Sequence, residues 1–189
     1  IIQAGERGVI FRPYSTGLDK DNIYGEGFHI IAPWNDMNIY NVREQQRDEP
    51  MDVLDKNGLS ISTDITIRFN PEYNKIGFLH EQFGVNFINV LVIPEVRSSV
   101  RQVAGRYTAE EIYSTKRAEV EQAIITETKL VLSKNFINMK ALLIRSINLP
   151  EQIKNAIESK LKQEQEALAY EFILRSEVSK AEKRRIEAE

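Results

Sequence analysis

Asp55-Lys-Asn-Gly-Leu-Ser-Ile-Ser-Thr-Asp-Ile-Thr-Ile-Arg-Phe69 reads as a turn followed by a strand. Leu59, Ile61, Thr63, Ile65, Ile67 and Phe69 alternate with Ser60, Ser62, Asp64, Thr66 and Arg68. A period of two over this length marks a half-buried antiparallel strand. Asn57-Gly58 supplies positive φ at little cost, so the turn closes a hairpin whose first strand is roughly Arg43–Leu54. Upstream, Gly8–Arg12 is a short apolar run closed by Pro13, and residues 14–27 are rich in Gly, Asp, Asn, Ser and Thr and read as loop. Phe28–Trp34 is apolar and ends near Pro33, and Met37–Val42 is a further strand, so residues 1–70 read as β.

Downstream the period changes. Asn70-Pro71 ends the strand. Pro94 suits a first helical position, Val96, Val100 and Val103 continue at helical spacing, and Gly105 stops the helix. Thr108-Ala-Glu-Glu111 fits a reciprocal cap, with Thr108 accepting from a free N–H and Glu111 reaching back. A longer helix, about Ser114–Lys134, places Val120, Ile124, Thr128, Val131 and Leu132 on one side and can end at Asn135. Met139–Leu149 alternates again and reads as a strand. Pro150 opens a final helix that runs to Glu189 without Gly or Pro, with nine acidic and eight basic residues nearly cancelling. Ile153, Ile157, Leu161, Leu168 and Phe172 keep one narrow stripe, which weakens towards Val178 and Ile186. Such a helix needs neighbours along a seam. At 1.5 Å per residue it is a rod of roughly 60 Å, longer than a 150-residue globule can cover.

Composition narrows the functions. The chain has 189 residues, 42% hydrophobic and 28% charged, with a net charge of -3, so it can build a core and has no overall electrostatic reason to bind nucleic acid. The absence of Cys removes disulfides, thiolate nucleophiles and cysteine metal sites. His29 and His80 are the only histidines; the first reads as a hydrogen-bonded ring at a strand edge and the second as a solvated side chain at a helix start. Gly25-x-Gly27 lacks the rest of a dinucleotide fingerprint and reads as turn geometry. Glu110 and Glu111 point about 100° apart on a helix, and capping explains Glu111. Ser98, Ser99, Ser114 and Thr115 have no neighbouring His base. Lys183-Arg-Arg185 is flanked by Glu182 and Glu187 and reads as a solvated face. No catalytic, cofactor-binding or metal-binding residue is expected. No apolar run approaches the ~20 residues that span a bilayer.

Four blocks carry a family resemblance: Gly5-Glu-Arg-Gly-Val-Ile-Phe11, Gly25-Glu-Gly-Phe-His-Ile-Ile-Ala-Pro-Trp34, Val92-Ile-Pro-Glu-Val-Arg97, and Arg106-Tyr-Thr-Ala-Glu-Glu-Ile-Tyr-Ser-Thr-Lys-Arg-Ala-Glu-Val120. In order and spacing they resemble the prohibitins, within the stomatin–prohibitin–flotillin (SPFH, band 7) superfamily, and a bacterial prohibitin-like member in particular. The resemblance implies an α+β fold in two lobes: a membrane-proximal antiparallel β lobe over 1–72, an α/β lobe over 73–149, and the start of a coiled-coil helix over 150–189. It also implies a non-enzymatic scaffold that assembles into rings or cages, organises a membrane microdomain, and regulates or sequesters membrane AAA proteases. Its partners would be further copies (as homo- or hetero-oligomers), lipid and such a protease. Its place would be the bacterial plasma membrane, or alternatively the mitochondrial inner membrane. The start at Ile1 and the end within a helix fit a fragment whose N-terminal anchor lies upstream. On this reading Phe28, Ile30, Ile31 and Trp34 would touch lipid, with the core of the β lobe as the other place for Trp34. Ile153, Ile157, Leu161, Leu168, Phe172 and Val178 would line the oligomerisation helix. A soluble adaptor or inhibitor of a membrane protease is the alternative function.

Overall fold

The computed structural model describes residues 1–188. The hairpin sits at its centre: β4 (Gln45–Leu54) pairs antiparallel with β5 (Ser60–Pro71), from Gln45 opposite Phe69 to Leu54 opposite Ser60. Ile61, Ile65, Ile67 and Phe69 are buried, as the alternation requires. The other edge of β5 pairs with β6 (Ile137–Asn148), giving a sheet ordered β4-β5-β6. A second sheet, β2-β1-β3, is built from Glu6–Arg12 (β1), Gly17–Leu18 (β2) and Asp36–Asn41 (β3).

Helices cover one face of the larger sheet. The chain makes α1 (Ile76–Phe83), α2 (Ile93–Ala104) and α3 (Arg117–Lys134). Val53, Ile61 and Ile65 from the sheet converge with Val100 of α2 and Val120 and Ile124 of α3. One wide π-type turn, Ile88–Val92, runs directly into α2, and another, Glu111–Thr115, precedes α3. Neither has a mark in the hydrophobic period, because a single added residue shifts the face without changing the composition. The expected cap at Thr108 is present: Thr108 donates its N–H to Glu111 Oε1 at 3.0 Å, and Glu111 donates its N–H to Thr108 Oγ1 at 3.3 Å.

Asp55 joins the hairpin to these helices. Its Oδ1 accepts the N–H groups of Asn57 (2.9 Å) and Leu59 (2.7 Å), and its Oδ2 accepts that of Ala109 (2.9 Å). Lys56 donates its N–H to the Tyr107 carbonyl at 2.8 Å. Gly58 takes φ +81°, as the turn requires. A second tie is Arg97 of α2, whose Nε donates to the buried Glu49 of β4 at 2.5 Å.

Several features depart from the expectations. Phe28–Trp34 forms no ladder; it is a loop with a turn at Pro33-Trp34. Residues 14–27, read as loop, contain the short β2. The sheet β4-β5-β6 takes strands from both sides of residue 72, so strand pairing runs across the boundary expected there. α3 ends at Asn135 as expected, and the left-handed residue that follows is Phe136 (φ +66°), whose ring lies 5.8 Å from that of Phe78. The alternation of β6 is broken by register shifts at Lys140 and Arg145. Charged residues at bulges on an edge strand discourage pairing with another sheet, and Pro50 does the same on β4.

His80 is the clearest departure, since it is not solvated. It lies on α1, and its Nδ1 makes a short hydrogen bond with the Tyr40 hydroxyl of β3. Its ring stands edge-on to Tyr40 at 5.6 Å, and Phe87 lies beyond, 6.0 Å from Tyr40. α1 also approaches the strand connection so closely that a Cβ on Gly77 would collide with the backbone of Lys20. Burial lowers the His80 pKa and pushes the Tyr40 hydroxyl up to about 12.

Residues 1–148 form one compact unit, and a second begins at Leu149. The second unit is α4 (Glu151–Glu187), 37 residues long and opened by Pro150. No single helix among the described residues is long and apolar enough to cross a membrane. The bent pair Tyr73–Phe83 and Ile88–Ala104 has the composition for one, but Ile76, Leu79, Val92 and Val96 of that pair are core residues.

Two outcomes follow. Asp55→Ala leaves a buried N–H without its acceptor and should cost about 2–4 kcal/mol in urea unfolding, whereas the exposed Asp52→Ala should cost under about 1 kcal/mol. The His80 pKa is lowered on folding, so the unfolded chain binds more protons as pH falls below 6.5. Stability is therefore full above that value and declines between it and the lower folded value. Thermal melts between pH 7 and 5 should show this decline, and His80→Gln should flatten it.

Candidate functional site

Among the described residues, no set of three or more His, Asp or Glu is placed to hold a metal. Glu111 is committed to its cap; the Thr108 backbone N–H first, and Lys116 second, hold its pKa below the ordinary carboxylate range. Ser99 is buried. The apolar space between Val53, Ile61, Val100 and Ile124 is about 20 Å³, room for one water and far below the size of a ligand pocket. His29 is satisfied as expected, with Nε2 2.7 Å from the Gly25 carbonyl oxygen and its ring edge-on to Tyr24.

Two surfaces stand out instead. The first is the loop 28–34. Ile2 and Gly27 exchange both backbone hydrogen bonds at 2.9 Å, fixing its start. Its end enters β3 at Asp36, opposite Phe11 of β1. At the base, Glu26 accepts from the Gly5 N–H and pairs with Arg7, and these contacts lower its pKa in that order. Between these anchors Phe28 is 74% exposed, Ile30 88% and Trp34 58%, while Ile31 is partly covered. Trp34 is therefore not in the core of its lobe. Three large apolar side chains held outward within seven residues form a patch, whereas scattered exposed apolar residues are ordinary.

The second surface is α4. Of the residues assigned to it, Ile157 is buried at 8% exposure, Leu161 is half-buried, Ile153 is 36% exposed, and Leu168, Phe172 and Val178 are well exposed. A single-stripe reading misses Tyr170, Ile173 and Leu174, which are also exposed. At 3.6 residues per turn Leu168 and Phe172 lie about 40° apart, and the other three lie about 140–240° round from Leu168. Residues 167–174 thus make a belt that is apolar on every side except at Glu171. The signal was a local run, Ala-Leu-Ala-Tyr-Glu-Phe-Ile-Leu174, rather than a period. A helix that is hydrophobic all round requires cover on more than one side.

Sequence comparison shows the family. The chain is 25% identical over 187 residues to Prohibitin 1 of Drosophila melanogaster, covering 98% of this chain and 65% of that protein. It is 21% identical over 189 residues to Prohibitin-2 of Xenopus tropicalis, covering 100% and 62% respectively. It is 23% identical over 174 residues to "Prohibitin-6, mitochondrial" of Arabidopsis thaliana, covering 92% and 60%. The chain thus spans less than two thirds of the length of these relatives. The model of the SPFH domain / Band 7 family matches residues 1–189. With its two antiparallel three-stranded sheets, its helices and the long α4, the chain belongs to the SPFH domain / Band 7 family.

Proposed function

We propose that this chain is the assembling part of a non-enzymatic, membrane-associated scaffold. Copies associate through α4 into a ring or cage, and the loop 28–34 rests against lipid. The observation that carries this reading is the apolar belt around Leu168, Tyr170, Phe172, Ile173 and Leu174, exposed in a single copy. Burying one such side chain contributes roughly 1.5–3 kcal/mol. Association costs roughly 4–15 kcal/mol in lost freedom, and one neighbour leaves half of the belt in water. Neighbours on two sides cover the whole belt, which favours a row of copies over an isolated pair. Attachment to one membrane raises the effective concentration and stabilises weak pairwise contacts further. Charges of both signs along α4 help set register between neighbours.

Family membership supports the scaffold reading, and the finer part of the proposal is the regulation or sequestration of membrane AAA proteases inside such an assembly. The lobe division rests on the same support. The site residues proposed are those named for the two surfaces, with Tyr170, Ile173 and Leu174 added to α4.

Sizing of the protein in mild detergent tests the reading. A large assembly is expected, and Leu168→Glu with Phe172→Glu should reduce it to monomers or small species with an unchanged melting temperature for residues 1–148. A clean monomer of the unaltered protein at micromolar concentration would contradict it.

A further inference from the structure

The apolar residues that α4 leaves in water fall on two faces of different shape. Leu168 and Phe172 lie about 40° apart and make the first. Tyr170 and Leu174, also about 40° apart, make the second, about 160° round the helix from the first. All four are exposed. On the first face the neighbouring side chains, Gln165 and Arg175, are long. On the second stands Ala167, small and exposed. Residues i, i+3, i+4 and i+7 of a helix frame a hole that takes a side chain from a facing helix. Ala167, Tyr170, Glu171 and Leu174 are such a set, and Ala167 leaves room in it.

We propose that copies of α4 join through unlike faces, Phe172 of one entering the hole framed by Ala167, Tyr170 and Leu174 of the next. The inference rests on the reading of α4 as the assembling helix and names the two surfaces that meet. The occupant is a further copy, because one chain carries both knob and hole at matching spacing. Leu168, four residues before Phe172, enters the hole four residues earlier, framed by Gln163, Glu166, Ala167 and Tyr170, in the same register. Each hole is centred about 2 Å along the axis from its knob, so neighbouring helices stand at nearly equal height, as attachment to one membrane requires. The same register brings Arg175 to the side of the contact where Glu171 of the next copy lies, opposite in charge. Pairing through like faces would instead set Phe172 against Phe172 with no small residue to receive it, and would leave Tyr170 and Leu174 in water. Ile173 lies between the two faces, at the rim of the contact beside its counterpart in the next copy.

Two double variants of the protein, carrying different tags, test this in mild detergent. Leu168→Glu with Phe172→Glu removes the knobs, and Tyr170→Glu with Leu174→Glu spoils the hole. Each alone should be monomeric, with an unchanged melting temperature for residues 1–148. Mixed in equal amounts, they should form a pair holding one of each, because the knobs left on the second fit the hole left on the first, and this pair should grow no further. A dimer of either variant alone, or no pair in the mixture while the unaltered protein assembles, overturns the unlike-face contact and leaves self-association standing. A monomeric unaltered protein, or variants that each assemble as fully as it does, overturns both.

Discussion

The unit of residues 1–148 depends on β5 being hydrogen-bonded along both edges. β4 reaches it through a five-residue turn, whereas β6 reaches it only after α1, α2 and α3 have been laid down. That pairing closes a long excursion of the chain and sets α2 and α3 against the sheet. Ile61 and Ile65 then meet Val100 of α2 and Val120 and Ile124 of α3 in one core. Asp55 fixes the far end of the same strand pair to the helical layer by accepting three backbone N–H groups. The open edges left by this arrangement carry Pro50 on β4 and charged bulges on β6, features that discourage further strand pairing.

What was legible in the sequence was local. The hairpin, the stop of α2 at Gly105, the cap at Thr108 and the start of α4 at Pro150 are each written within a few residues, where period, turn chemistry and capping act. What was not legible was long-range. His80 meets Tyr40 forty residues away, and no spacing rule announces that pair. Strand pairing across residue 72 likewise depends on contacts between distant segments. Phe28–Trp34 has the composition of a strand, yet it finds no edge to join and becomes a loop. On α4 the assumption of a single stripe hid Tyr170, Ile173 and Leu174, because a belt has no period to detect.

The two candidate surfaces share a physical feature. Each presents apolar side chains that a single copy leaves in water. The loop is pinned by the Ile2–Gly27 bridge and by Glu26, and the belt is carried on a helix whose charges nearly balance. Rigid presentation reduces the entropy lost when either surface is covered. Lipid at one surface and further copies at the other would give the chain a mechanical role, holding many copies in fixed register on a membrane.

The central claim is that the belt of residues 168–174 is covered by other copies. The chain has no cysteine, so a single Ile173→Cys substitution gives a clean probe. In membranes carrying the longer protein, mild oxidation should join copies through this position, and an exposed control such as Ser179→Cys should react less. Absence of joined copies, together with free reaction of the introduced thiol with a water-soluble maleimide, would contradict the account.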